Sequence, residues 1–113
     1  MALMPDKWLI VKISPDTGEK PHYRVFGTWS GGYLSGDSWR MNSGIVKCEE
    51  NEDETWIFYG NSTSIYYCGK ESYGSTVYGC QVLETYKESL GDQLEIMEDR
   101  DWFKFFEEVL NES

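Results

Sequence analysis

The chain is poor in the residues that most often carry chemistry. One histidine, three cysteines, three prolines and ten basic side chains serve 113 residues. A single imidazole, His22, leaves no histidine pair for a metal, and Cys48, Cys68 and Cys80 lack C-x-x-C spacing, so a structural zinc site is not expected. Free thiols fit a reducing compartment, although Cys48 and Cys68 fall where neighbouring strands would let them face each other. No apolar run approaches membrane-spanning length, and the first residues lack a cleavage-site pattern, so a soluble cytoplasmic protein with no membrane partner is expected. The acids lack calcium-loop spacing, and Gly27-Thr28-Trp29-Ser30-Gly31 misses the nucleophile-elbow pattern by one position. The glycine loop at residues 31–36 lacks the Gly-Lys-Ser/Thr ending of a phosphate loop. Catalysis, cofactors and metals are therefore not expected.

Charge is short on one side only. Ten basic against twenty acidic side chains give a net charge of −10, a field that repels nucleic acid. The imbalance is local: residues 1–48 carry +2 and residues 49–113 carry −12. The front half can accept an anion that the back half would repel, and the acidity equally serves solubility.

Aromatics are plentiful, at 16% of the chain, and eleven glycines accompany them. This composition favours β-structure with tight turns. Length allows a single domain over 1–113 with one modest core. Trp8–Ile13 and His22–Trp29 read as strands joined through Pro15-Asp16-Thr17-Gly18, plausible as a hairpin. Trp39–Glu49 reads as a third strand with a bulge at Gly44, Thr55–Tyr59 as a fourth, and Ser64–Cys68 as a fifth. Helical spacing follows at Val82, Leu83, Tyr86 and Leu90, with Gly91 where a helix should stop. Leu94-Glu95-Ile96 is a short edge strand or a link, and Asp101–Leu110 a final helix presenting Trp102, Phe103, Phe106 and Leu110. The expected fold is α+β: an antiparallel sheet of four to five strands over residues 7–68, then a two-helix layer over 75–112. Trp56, Phe58, Leu83, Trp102, Phe106 and Leu110 are expected to be buried, and eighteen aromatics in so small a domain imply self-association.

The densest chemistry lies in residues 27–44, which hold two Trp, a Tyr, an Arg, an Asn and five Gly. Glycine lets backbone amides approach a ligand, aromatic faces stack on a base, and guanidinium grips phosphate. A second cluster, residues 69–76, precedes the first helix, where Lys70 and the helix amides could add positive potential. The candidate set for a small anionic nucleotide ligand is Arg24, Trp29, Gly31, Gly32, Tyr33, Trp39, Arg40, Asn42, Ser43 and Tyr73. In this reading Arg40 holds phosphate, one of Trp29, Tyr33 or Trp39 stacks on the base, and Asn42 and Ser43 orient it. The same segment also reads as a loop between aromatic strands, with Trp39 in the core.

The runs Gly31-Gly32-Tyr33, Gly36-Asp37-Ser38-Trp39-Arg40-Met41-Asn42-Ser43-Gly44-Ile45 and Tyr66-Tyr67-Cys68-Gly69-Lys70-Glu71-Ser72-Tyr73-Gly74 resemble small bacteriophage counter-defence proteins, most of all the anti-Thoeris nucleotide-sequestering family. The resemblance spans residues 22–112. It implies a sheet followed by two helices in a homo-oligomer that traps a cyclic ADP-ribose-type immune signal in the host bacterial cytoplasm without cleaving it. No ligand contact transfers position by position. An alternative from the acidity is a nucleic-acid mimic that inhibits a CRISPR or restriction complex by binding protein.

Overall fold

In a computed structural model, which describes residues 2–31 and 36–111, the apolar run after Pro5 becomes a strand buried on both faces. Strand β1 is Ala2–Leu3 and β2 is Lys7–Ile13, within which Trp8, Leu9, Ile10 and Val11 are all buried. A continuous apolar run, rather than an alternating one, is what a strand with two covered faces requires. Strand β3, His22–Trp29, pairs with β2 in the expected antiparallel hairpin, from Lys7↔Thr28 to Ile13↔His22, and Gly18 takes φ 86 in the turn. Strand β4, Ser38–Met41, lines the far side of β3, and β8, Leu94–Ile96, the far side of β2.

The remaining strands form a second sheet, so the single sheet of four to five strands resolves into two sheets of four. Strands β5 (Ile45–Asn51), β6 (Thr55–Gly60) and β7 (Ile65–Gly69) make an antiparallel meander, and β1 adds to β7 in parallel. The third strand expected over Trp39–Glu49 is broken between β4 and β5. Asn42 donates its backbone N–H to the Val25 carbonyl at 3.1 Å, while its side-chain Oδ1 accepts the Val25 N–H at 2.9 Å. The side chain thus supplies the acceptor that a continuing strand would have supplied. Gly44 then takes φ 141, a region open to glycine, and the chain crosses into the other sheet. The irregularity expected at Gly44 lies next to it, between Ile45 and Lys47.

Side-chain alternation sorts the core. Trp8, Ile10, Tyr23 and Val25 face the second sheet, where they meet Cys48, Trp56, Phe58, Tyr66 and Cys68. Leu9, Val11 and Phe26 face the other way, onto Leu83 of helix α1, Val77–Leu90. Thr76 caps α1 by accepting the Gly79 N–H at 3.0 Å, and Gly91 ends it at φ 57. Helix α2, Trp102–Leu110, is capped by Asp101, which accepts the Lys104 N–H at 3.1 Å, and it packs against β5. Its Trp102 and Phe106 complete the core between the sheets, each worth roughly 1.5–3 kcal/mol of burial.

Five of the six residues expected to be buried are so, and Leu110 is not, at 38% exposed. The stripe of α2 against the core is Trp102, Phe105, Phe106 and Val109, which turns Phe103 and Leu110 to the rim. The thiols of Cys48 and Cys68 do not face each other across neighbouring strands. They sit on β5 and β7 with β6 between, about 9–10 Å at the usual strand spacing and beyond disulfide reach. No helix among the described residues is long and apolar enough to cross a membrane.

Candidate functional site

Period-two alternation along β4 divides the residues expected to act together. Trp39 and Met41 join the Phe26 face, toward α1. Arg40 stands opposite Gly27, on the face that Tyr23 and Val25 turn toward the second sheet, and its charge is felt at the Tyr66 hydroxyl. The stacking ring and the guanidinium therefore leave β4 in opposite directions.

Trp39 is half-buried. Its ring stacks on Phe26 at 5.6 Å and 23°, and the Tyr86 ring meets it edge-on at 5.7 Å and 83°. Beside it opens a cleft of about 360 Å³ lined by Trp39, Val82, Thr85, Tyr86 and Ser89. Four of these belong to α1, at the i, i+3, i+4, i+7 spacing of one helical stripe. Tyr86 was legible as part of an amphipathic helix; that its stripe borders Trp39 was not. The lining offers two aromatic rings, an isopropyl group and two aliphatic hydroxyls. The Thr85 hydroxyl already donates to the Gln81 carbonyl at 3.1 Å. Among the described residues its lining is Trp39, Val82, Thr85, Tyr86 and Ser89, aromatic, aliphatic and hydroxyl groups of the kind that hold a planar ring.

The other candidates are dispersed. Arg24 lies opposite Val11 on the α1 face, and its Nε donates to Nε2 of His22 at 3.0 Å. Burial first, and then the Arg24 charge, hold the His22 pKa below its ordinary value. Trp29 packs on the core rim and donates its indole N–H to the Met4 carbonyl at 3.0 Å. The next two amides are already taken: Ser30 donates to Asp6 at 2.8 Å and Gly31 to Asp37 at 3.2 Å. Carboxylates thus occupy these two amides. Gly32 and Tyr33 lie outside the described residues.

Asn42 is buried in the crossover and holds Val25 as described; its Nδ2 has no partner among the described residues. Ser43 is exposed beside it. Tyr73 is a core residue, edge-on to Trp8 at 4.7 Å, with its hydroxyl spent on backbone groups. Lys70 is likewise engaged, ion-paired with Glu50 and 4.5 Å from the centre of the Trp56 ring. Of the eight candidates among the described residues, Trp39 alone lines the cleft.

Among the described residues no group of three or more His, Cys, Asp and Glu side chains converges as a metal site. No family model, no curated protein and no solved structure matches the chain, so the arrangement around Trp39 has to be read from its own geometry.

Proposed function

We propose that the protein is a binding protein without catalytic chemistry, which captures a small nucleotide-type molecule by stacking its base on Trp39. The observation that carries this reading is the cleft that Trp39 and Tyr86 line together with Val82, Thr85 and Ser89. Its volume of about 360 Å³ falls at the lower end for small-molecule sites, enough for a base and its sugar. Stacking on one aromatic contributes about 1–3 kcal/mol, whereas micromolar affinity needs about 8 kcal/mol. The difference must come from contacts to sugar and phosphate made by groups outside the cleft, and a second copy of the chain in a homo-oligomer is one source. With the resemblance to phage nucleotide-sequestering proteins, the reading extends to counter-defence in the host cytoplasm, the ligand being a cyclic ADP-ribose-type signal that is held and not cleaved.

The test is a thermal-shift panel of cyclic nucleotides and cyclic ADP-ribose isomers, with mass spectrometry of what heat releases from the purified protein. A bound compound should raise Tm, emerge chemically intact, and lose its effect in Trp39→Ala. A panel with no shift sinks the reading.

A second reading, an acidic inhibitor that binds a basic protein, is supported by the exposure of Glu52, Asp53, Glu54, Glu84, Glu88, Glu107 and Glu108. Binding of that kind weakens steeply as salt rises.

A further inference from the structure

A second cleft, of about 290 Å³, is lined by Lys12, Lys20, Pro21, Tyr23 and Val109. The β2–β3 hairpin builds it. Lys12 follows Trp8 and Ile10 at period two, so it leaves β2 on their face, directly opposite Tyr23 in the register. Lys20 comes from the turn that leads through Pro21 into β3. Val109, in the last turn of α2, supplies the remaining wall. Trp39 lies with Phe26 on the opposite face of this sheet, so the two clefts are separate.

Two ammonium groups share the cleft, and among the described residues no carboxylate lines it, in a chain whose acids outnumber its bases twenty to ten. Lys47 and Lys70 are ion-paired with Glu49 and Glu50, whereas neither Lys12 nor Lys20 is ion-paired among the described residues. The hydroxyl of Tyr23, a residue only 9% exposed, likewise has no hydrogen-bond partner among them. Glu19, next to Lys20 in the chain, acts on His22 instead. Glu95 stands opposite Lys12 across β2 and β8, exposed and not ion-paired. The two lysines therefore repel each other across a cleft that a dianion would neutralise.

We propose that this cleft binds the phosphate group of a small molecule, Lys12 and Lys20 meeting its two charges and the Tyr23 hydroxyl donating to one of its oxygens. Lysine serves phosphate as a point charge, and donors from three chain positions suit a tetrahedral group better than a planar carboxylate. A singly charged anion gains half as much from the two lysines. Phosphate therefore better offsets the entropy of holding two long side chains in place. The volume lies just below the usual small-molecule range, which leaves room for a short organic group against Pro21 and Val109. Free phosphate and a small phosphate ester share this chemistry.

The probes are inorganic phosphate, butyl phosphate and butyl sulfate, each titrated at constant ionic strength and about pH 8, where phosphate is doubly charged. Both phosphates should saturate, with amide NMR shifts centred on residues 12, 20–23 and 109. They should bind at least about fivefold tighter than butyl sulfate, which keeps the tetrahedral head with one charge. Lys12→Gln and Lys20→Gln should each weaken butyl phosphate about tenfold, and Glu95→Gln should strengthen it. Lys20 stands in an exposed turn, so Lys20→Gln keeps the fold even if Lys12→Gln does not. Trp39→Ala should leave this binding unchanged, which separates the cleft from the nucleotide site proposed above. Tighter binding of butyl phosphate than of inorganic phosphate assigns the cleft to an ester, and equal binding assigns it to the free ion. Sulfate binding as tight as phosphate, affinity unmoved by Lys20→Gln, shifts centred on other residues, or no saturable binding overturns the proposal.

Discussion

The Tyr73 hydroxyl takes the place of a strand partner for Ile10: it accepts the Ile10 N–H at 3.1 Å and donates its own proton to the Met97 carbonyl at 2.5 Å. Met97 in turn donates its N–H to the Ile10 carbonyl at 2.9 Å, just beyond the end of β8. One side chain thereby completes the ladder where the eighth strand runs out. Removing the hydroxyl alone strands a buried backbone donor, which costs about 1–3 kcal/mol. Tyr73→Phe should lower the unfolding free energy by that amount, seen as a lower urea midpoint with an unchanged m-value. An unchanged midpoint would mean that water replaces the hydroxyl and that the ladder does not depend on it.

The same burial makes stability sensitive to alkali. Burial, the largest cause, pushes Tyr73 from 10.0 up to about 12 and Cys48 from 9.0 up to about 12, and it raises Cys68 as well. A group whose folded pKa is raised stays protonated in the fold after the unfolded chain has lost its proton. Its contribution is therefore whole below the unfolded pKa and disappears as pH climbs through the folded one. Stability should be level up to about pH 9 and fall between about pH 9 and 12. Tyr73→Phe, although less stable at neutral pH, should show a shallower fall above about pH 10. A parallel fall in both proteins would remove Tyr73 from the account.

Gly79 lies in the first turns of α1, where alanine would ordinarily be preferred by about 1 kcal/mol. Here a Cβ would meet Cγ2 of Thr28 at 2.6 Å and collide with Oγ of Ser75. Thr28 is fully buried and stiff at its branched Cβ, so it cannot swing aside. Gly79→Ala should therefore destabilise despite its helical propensity, by about 1–3 kcal/mol, the usual range for overpacking. Thr28→Ser removes the clashing methyl, and the double variant should recover part of the loss in a thermal melt.

The hairpin, the meander and both helices were legible because each rests on local pattern: β-branched runs, turn residues, and Asp101 and Gly91 at helix ends. The division into two sheets was not, because it turns on Asn42, whose side chain bonds to Val25, seventeen residues earlier in the chain. Leu110 was misplaced because Phe103 was included in the buried stripe, when Phe105 and Val109 complete the face that meets the core. For the site, the aromatic density around Trp39 was readable, but Tyr73 and Asn42 carry the same chemistry and spend it on the fold. The separation of Trp39 from Arg40 follows from simple alternation once β4 is known to be a strand. Trp39–Glu49 read as a strand, but its first residues were grouped with the preceding loop by composition and the alternation was not applied to them.

Opposite faces of β4 give Trp39 and Arg40 separable effects on ligand binding. A stacked indole acts at contact and contributes about 1–3 kcal/mol, so Trp39→Ala should weaken the ligand about fivefold or more at any salt concentration. Because Trp39 also covers Phe26, Trp39→Phe is the better control, keeping an aromatic face while sparing the core. Arg40 on the far face acts on a ligand in the cleft only through its long-range field, which physiological salt screens over about 8 Å. Arg40→Ala should therefore change affinity by less than about threefold at physiological salt and by more at low salt. Titration calorimetry of the three variants at two salt concentrations separates the contributions. If Arg40→Ala costs tenfold at physiological salt while Trp39→Ala costs nothing, the ligand lies on the side of β4 that faces the second sheet, and the cleft at Tyr86 is not its site.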